Sequence, residues 1–308
     1  MAITAAMVKE LRERTGAGMM DCKNVLNEVD GDMERAIEVL REKGLAKAAK
    51  KAGRVAAEGL VKEMISADHK TAALVEINSE TDFVAKNEQF VTFVNQVAEM
   101  VLNNEVNDVE ALKALPWCED ASKTVGDVLT EKIATIGENL TLRRIARMTT
   151  DGVFAAYTHG GGKIIAVVEM GAEGEKALEV GRNVAMQIAA VNPEYIRTED
   201  VSAEKQEKEK EILMHQALNE NPGKPENIIE KMVIGRLNKQ LKEICLLEQE
   251  YVKDPDFTVG KYVAAELGNA DVVKAFVRFE TGEGIEKVVS CKRSWAIPGM
   301  GVLELTAE

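Results

Sequence analysis

Aromatic residues make up only 4% of this 308-residue chain, so any core must be packed mainly from Ala, Val, Leu, Ile and Met. No run of 18 apolar residues occurs, and the start, Met1-Ala2-Ile3-Thr4, lacks a charged segment followed by an apolar one. These absences exclude a membrane-spanning helix and a secretion signal, and they predict a soluble, cytoplasmic protein. Cysteine is scarce: Cys22, Cys118, Cys245 and Cys291 lie far apart without a CxxC pair. That usage fits free thiols in a reducing compartment and predicts neither a disulfide framework nor a metal centre. Three histidines, His69, His159 and His215, leave few nucleophile–base pairings, and no hydrolase elbow, zinc-binding HExxH or phosphate loop is present. No cofactor is expected. A surplus of cations is also missing. The net charge of −13 argues against direct nucleic-acid binding spread over the surface.

That charge is uneven. Residues 1–54 hold 11 Lys and Arg against 9 Asp and Glu, so the acidic surplus belongs to the remainder. Residues 3–43 read as three short helices. Val8 and Leu11 mark the first, which breaks at Thr15-Gly16-Ala17-Gly18; Met19, Cys22, Val25 and Leu26 mark the second. Asp32 is placed to cap the third, where Met33, Ala36, Ile37 and Leu40 share a face and Gly44 is expected to stop it. Lys43–Arg54 carries few large apolar residues. It reads as a solvated basic linker, with a nucleic-acid patch as the alternative. Of Met19 and Met20, one is expected to face outward, as on an adaptable binding surface.

The longest signal is an internal repeat. At an offset of 93, Glu58-Gly59-Leu60-Val61 falls on Asp151-Gly152-Val153-Phe154, and Ala73–Ile77 falls on Ala166–Met170. By Phe93, Val97, Ala98 and Val101 the offset has dropped to 87. The first copy therefore carries six extra residues, filled by Thr81-Asp82-Phe83-Val84-Ala85-Lys86-Asn87. Loops absorb insertions cheaply and often carry function. An acid beside an aromatic at such a tip reads either as a contact element or as a core plug, with Phe83 folded back and Asp82 capping the next helix. Each copy predicts two strands, helices and a third strand, an α+β unit with helices on one face. The second copy is split by Ala203–Ile244, where two apolar helical stripes flank Asn221-Pro222-Gly223-Lys224-Pro225 and predict an antiparallel helical hairpin. Gly160-Gly161-Gly162-Lys163 joins two predicted strands and reads as a turn. His159 beside it is either an exposed contact or a general base.

LRERTGAGMMDCKNVL (11–26), DGDMERAI (30–37), INSETDFVAKNEQF (77–90), THGGGKIIAVVEM (158–170) and FVRFETGEGIEK (276–287) occur in this order. Together they resemble the bacterial elongation factor Ts family over about residues 3–287. The resemblance implies a UBA-like helical module with its basic linker (1–54) and a core subdomain N (55–149). It also implies a core subdomain C in two parts (150–200 and 246–287), split by a coiled-coil hairpin (201–245). The stretch 288–308 departs from the family and is assigned no role. The implied activity is guanine-nucleotide exchange on elongation factor Tu, in its GDP-bound and nucleotide-free forms, without covalent chemistry. Thr81, Asp82, Phe83 and Val84 would form a wedge that dislocates Mg²⁺ and phosphate contacts. Arg12, Met19, Met20, Lys23 and His159 would bind the partner, and the hairpin is a candidate surface for homodimer formation. A helix-binding adaptor and an enzyme built around His159 are the competing readings; the first leaves the insertion without a purpose, and the second lacks a pocket signature.

Overall fold

The computed structural model describes residues 3–286. Three helices come first: α1 (Ala5–Thr15), α2 (Met19–Glu28) and α3 (Met33–Lys51). Thr4 caps α1 by accepting from the Met7 N–H, and Asp32 caps α3 by accepting from the Arg35 N–H. Val8, Leu11, Cys22, Val25, Leu26, Ala36 and Val39 close a small core between them.

The third helix does not stop at Gly44, and the expected basic linker is largely helix. Ala and Lys favour helix, and Gly44 is buried where α3 crosses a later helix. The first repeat then follows as β1 (Glu58–Ile65), β2 (Thr71–Ser79), α4 (Asp82–Ala85), α5 (Glu88–Asn103), α6 (Val109–Ala114), α7 (Val125–Ile136) and β3 (Thr141–Thr149). Its three strands form an antiparallel sheet in the order β1-β2-β3. Helix α7 lies along α3. There Arg41 pairs with Asp127 at 2.8 Å, and the Lys51 ammonium donates to the Ile133 carbonyl at 3.3 Å.

The second repeat has β4 (Val153–His159), β5 (Ile164–Met170) and α8 (Glu175–Val191). After the helical pair α9 (Ala203–Glu220) and α10 (Glu226–Ile244) come β6 (Glu250–Tyr251), β7 (Asp254–Thr258), α11 (Val259–Leu267) and β8 (Val273–Glu280). Its sheet is antiparallel in the order β4-β5-β8. The two repeats agree in detail. Gly59 and Gly152, equivalent by the offset of 93, each lie against a partner-strand carbonyl, Ile77 O and Met170 O. A Cβ would stand 2.2 and 1.9 Å away, so only glycine fits.

The architecture is α+β in four layers. Outer faces of the sheets pack on helices, with Val75, Ile77, Phe90, Phe93, Val97 and Leu129 in one core and Ala166, Val168, Met170, Val180, Val184 and Val263 in the other. Inner faces pack on each other through Val61, Leu74, Phe154, Ile165, Val167 and Phe279. Helices α9 and α10 seal Leu213, Ala217, Ile229 and Val233 between them and leave Ile212, Leu218, Ile228 and Ile234 exposed. Among the described residues no helix is long and apolar enough to cross a membrane, and no cluster of His, Cys, Asp and Glu could hold a metal. The stretch 288–308 lies outside the described residues.

Candidate partner-binding surface

The inserted segment is a single helical turn, α4, raised on a pinned base. The Ser79 hydroxyl donates to the Thr81 carbonyl at 2.9 Å, and the Thr81 N–H and hydroxyl donate to Glu138 at 3.0 and 2.7 Å. Beyond the turn, Asn87 caps α5 by accepting from the Gln89 N–H at 2.9 Å and the Phe90 N–H at 3.4 Å. Successive residues of a helical turn point about 100° apart. Val84 accordingly turns inward and joins the first core, 8% exposed, whereas Phe83 stands 81% exposed. The core-plug reading of Phe83 is therefore corrected, and so is Asp82 as cap of the next helix, because Asn87 holds that position. Asp82 instead bonds the Lys86 ammonium at 3.0 Å, which holds its carboxyl below the usual range.

The helical module reaches the same place. Arg12, Gly16, Ala17, Gly18 and Met19 face Phe83, Val84, Asn87 and Gln89 across a cleft of about 530 Å³, floored by Thr135 and Ile136 at the end of α7. Met19 and Met20 are 59% and 63% exposed, so both face outward rather than one. They are the first two residues of α2, with no earlier turn to cover either. Among the described residues, neither Arg12 nor Lys23 forms an ion pair. Arg14, Arg35, Lys43 and Lys47 of the same module are engaged by Glu34, Glu38, Glu28 and Asp21. The unpaired cations and the bare methionines leave a mixed polar and apolar surface beside the tip.

The structure thus brings Arg12, Met19, Phe83 and Val84 to one cleft, with Thr81 in its footing. Met20 and Lys23 are exposed on α2 outside the cleft lining. His159 is on the second repeat, exposed where β4 turns into β5, with its Nδ1 3.4 Å from the Tyr157 hydroxyl. Gly160, Gly161 and Gly162 all have positive φ, as a tight turn requires. Sequence reasoning missed Gln89, Thr135, Ile136 and Glu138. One signal for Glu138 was available: the repeat without the tip has Asn269 at the equivalent place.

Residues 80–283 match the family described as Elongation factor TS. The chain belongs to the elongation factor Ts family. Elongation factor Ts of Clostridium perfringens (strain SM101 / Type A) is 56% identical over 291 residues, spanning 92% of this chain and 95% of the relative. Elongation factor Ts of Clostridium botulinum (strain 657 / Type Ba4) is 53% identical over 291 residues, spanning 92% and 94%. Membership of the elongation factor Ts family makes this a translation elongation factor, acting in protein biosynthesis. The family match opens at Glu80, at the foot of the tip, and takes in β3 and the whole second sheet but neither β1 nor β2; the alignments to the relatives, over 92% of the chain, reach further.

Proposed function

We propose that the protein is a guanine-nucleotide exchange factor for elongation factor Tu, and that α4 is its working tip. The observation that carries this reading is Phe83, a large apolar side chain 81% exposed on a loop fixed at both ends. With exposed Met19 at the same cleft, the ring makes an apolar patch rather than a lone exposed side chain, and such patches mark partner surfaces. The tip inserts beside the nucleotide site of the GTPase, where Asp82 and Phe83 displace the elements that support Mg²⁺ and phosphate. The helical module, a UBA-like unit in this reading, grips the GTPase domain through Arg12, Met19, Met20 and Lys23. His159 on the second repeat holds a more distant domain.

No covalent step is needed. Mg²⁺ bridges the nucleotide phosphates to a GTPase, so displacing its supports weakens GDP. Linkage makes the effect reciprocal: GDP weakens the grip of the factor by the same ratio. A ten-thousand-fold loosening corresponds to about 5.5 kcal/mol of coupling. Burying one phenylalanine contributes ~1.5–3 kcal/mol, so Phe83 alone is insufficient. The docking surfaces must provide the remainder, which accounts for a small tip on a broad body. The test is Phe83→Ala: GDP release from elongation factor Tu in stopped flow should slow by at least tenfold, roughly the worth of one buried ring, with complex formation largely kept. Release at the parental rate would end the tip reading.

A further inference from the structure

An exposed ring can act as a wedge only if its base does not swing. Thr81 is held at all three of its polar groups: N–H and hydroxyl on the two oxygens of Glu138, and carbonyl on the fully buried Ser79. Two donors on one carboxylate make a charge-assisted fork, stronger and more directional than a neutral pair. Thr81 sits at the capping position of α4 yet makes no cap bond, its hydroxyl being committed to Glu138. Glu138 is itself placed by Gly137, which ends α7 at φ 90° and turns the chain back toward the end of β2. The neighbouring contact is reciprocal. Glu80 accepts from the Asn139 N–H at 2.6 Å, so two carboxylates pointing in opposite directions stitch residues 80–81 to 138–139. The chain just past α3 joins at the same place, where the Asn139 amide donates to the Arg54 carbonyl at 2.8 Å. In the repeat without a tip, Asn269 stands for Glu138 and, among the described residues, accepts locally from the Asp271 N–H at 2.9 Å.

We infer that Glu138 is a positioning residue for nucleotide exchange, acting through Thr81 to present Phe83 in one orientation. This rests on the reading of Phe83 as the exchange tip. Loss of the fork leaves the base of α4 held by Ser79 on the Thr81 carbonyl, by Val84 and by Asn87, so the tip still exists but samples more orientations. The cost falls on the insertion step and not on docking, because the docking surfaces on α1, α2 and the second repeat are untouched.

The test is GDP release from elongation factor Tu over a range of concentrations of the full chain, which separates the maximal rate from the half-saturating concentration. Glu138→Ala should lower the maximal rate roughly five- to thirty-fold and leave the half-saturating concentration within about twofold. Glu138→Gln keeps an acceptor oxygen and should recover part of the rate, and it serves if the alanine variant melts early. In a Phe83→Ala background, Glu138→Ala should have no further effect, since the two changes act on one step. Parental maximal rates for both Glu138 variants overturn the inference, as does an equal loss with and without Phe83. If Phe83→Ala alone leaves release unchanged, the tip reading fails and this inference falls with it. If Phe83→Ala slows release and the Glu138 variants do not, the inference alone fails.

Discussion

Phe83 and Val84 are adjacent in sequence and opposite in energetic role. One contributes to the stability of the chain itself and the other does not, because only Val84 is removed from water in the free protein. Phe83→Ala should therefore change stability by less than ~0.5 kcal/mol. Val84→Ala should lower it by about 1–2 kcal/mol through lost transfer energy and a small cavity. Urea unfolding of the two variants checks the contrast, and equal losses would place the ring inside the chain. This contrast was half legible in the sequence. The six-residue excess in the first repeat singled out the segment, but one helical turn is too short for periodicity to say which side chain points in. Met19 and Met20 failed for a related reason, since the rule that neighbours diverge says nothing when a helix begins in open solvent. Glu138 is 57 residues from Thr81, and such a pairing has no local signature.

At the scale of elements, the instructive case is α3. Its large apolar residues run out after Leu40, except for exposed Leu45, and the glycine that follows matches a helix stop. The helix continues because α7 presents a small side chain there. A Cβ built on Gly44 would meet the Ala134 Cβ at 3.5 Å, ordinary van der Waals contact, and Ala48 packs on the first core. A close crossing made of small residues leaves no apolar stripe to read. Gly44→Ala should therefore stabilise the protein by up to ~1 kcal/mol, since helix propensity improves and the added methyl fits. Gly44→Leu should destabilise it by forcing α3 off α7. Thermal melts of both decide the matter: a lower melting temperature for Gly44→Ala would mean that the crossing tolerates no methyl. Other elements were readable wherever period and punctuation agreed, as in the strands on either side of Gly160–Lys163 and the helices on either side of Asn221–Pro225. Strands β6 and β7 were not, because two residues and an Asp-Pro-Asp segment carry no period.

At the scale of the whole molecule, the two repeats must keep a fixed relation if the docking surfaces of both are to drive one tip. Much of that relation is apolar, through the inner sheet faces, but its edge is fastened by a buried charge. Glu76 on β2 is fully buried and accepts from Arg143 at 3.0 Å, Arg144 at 2.5 Å, Asn78 at 3.0 Å and the Gly282 N–H of the second repeat at 2.8 Å. Arg144 also stacks over the Phe279 ring of β8 at 4.1 Å and pairs with Glu283 at 3.0 Å, so both repeats converge on one carboxylate. Burial by itself would raise the Glu76 carboxyl; the Gly282 N–H, Asn78 and the two guanidinium groups outweigh it and hold the group below its ordinary value of 4.5. A carboxylate with a depressed folded value stabilises the protein fully above its unfolded value, and that contribution fades as pH falls through the folded value. Glu76→Gln should then cost roughly 1–3 kcal/mol near neutral pH, where it leaves two half-buried guanidinium groups short of a counter-charge. The gap between parent and variant should narrow as the pH is lowered below 4.5, because the parental carboxyl begins to protonate as well. Urea unfolding at neutral pH and at progressively lower pH measures both gaps. A difference that stays constant across that range would mean that the Glu76 carboxyl binds its proton equally well in the folded and unfolded chain, and its charge would then add no net stability to the fastening.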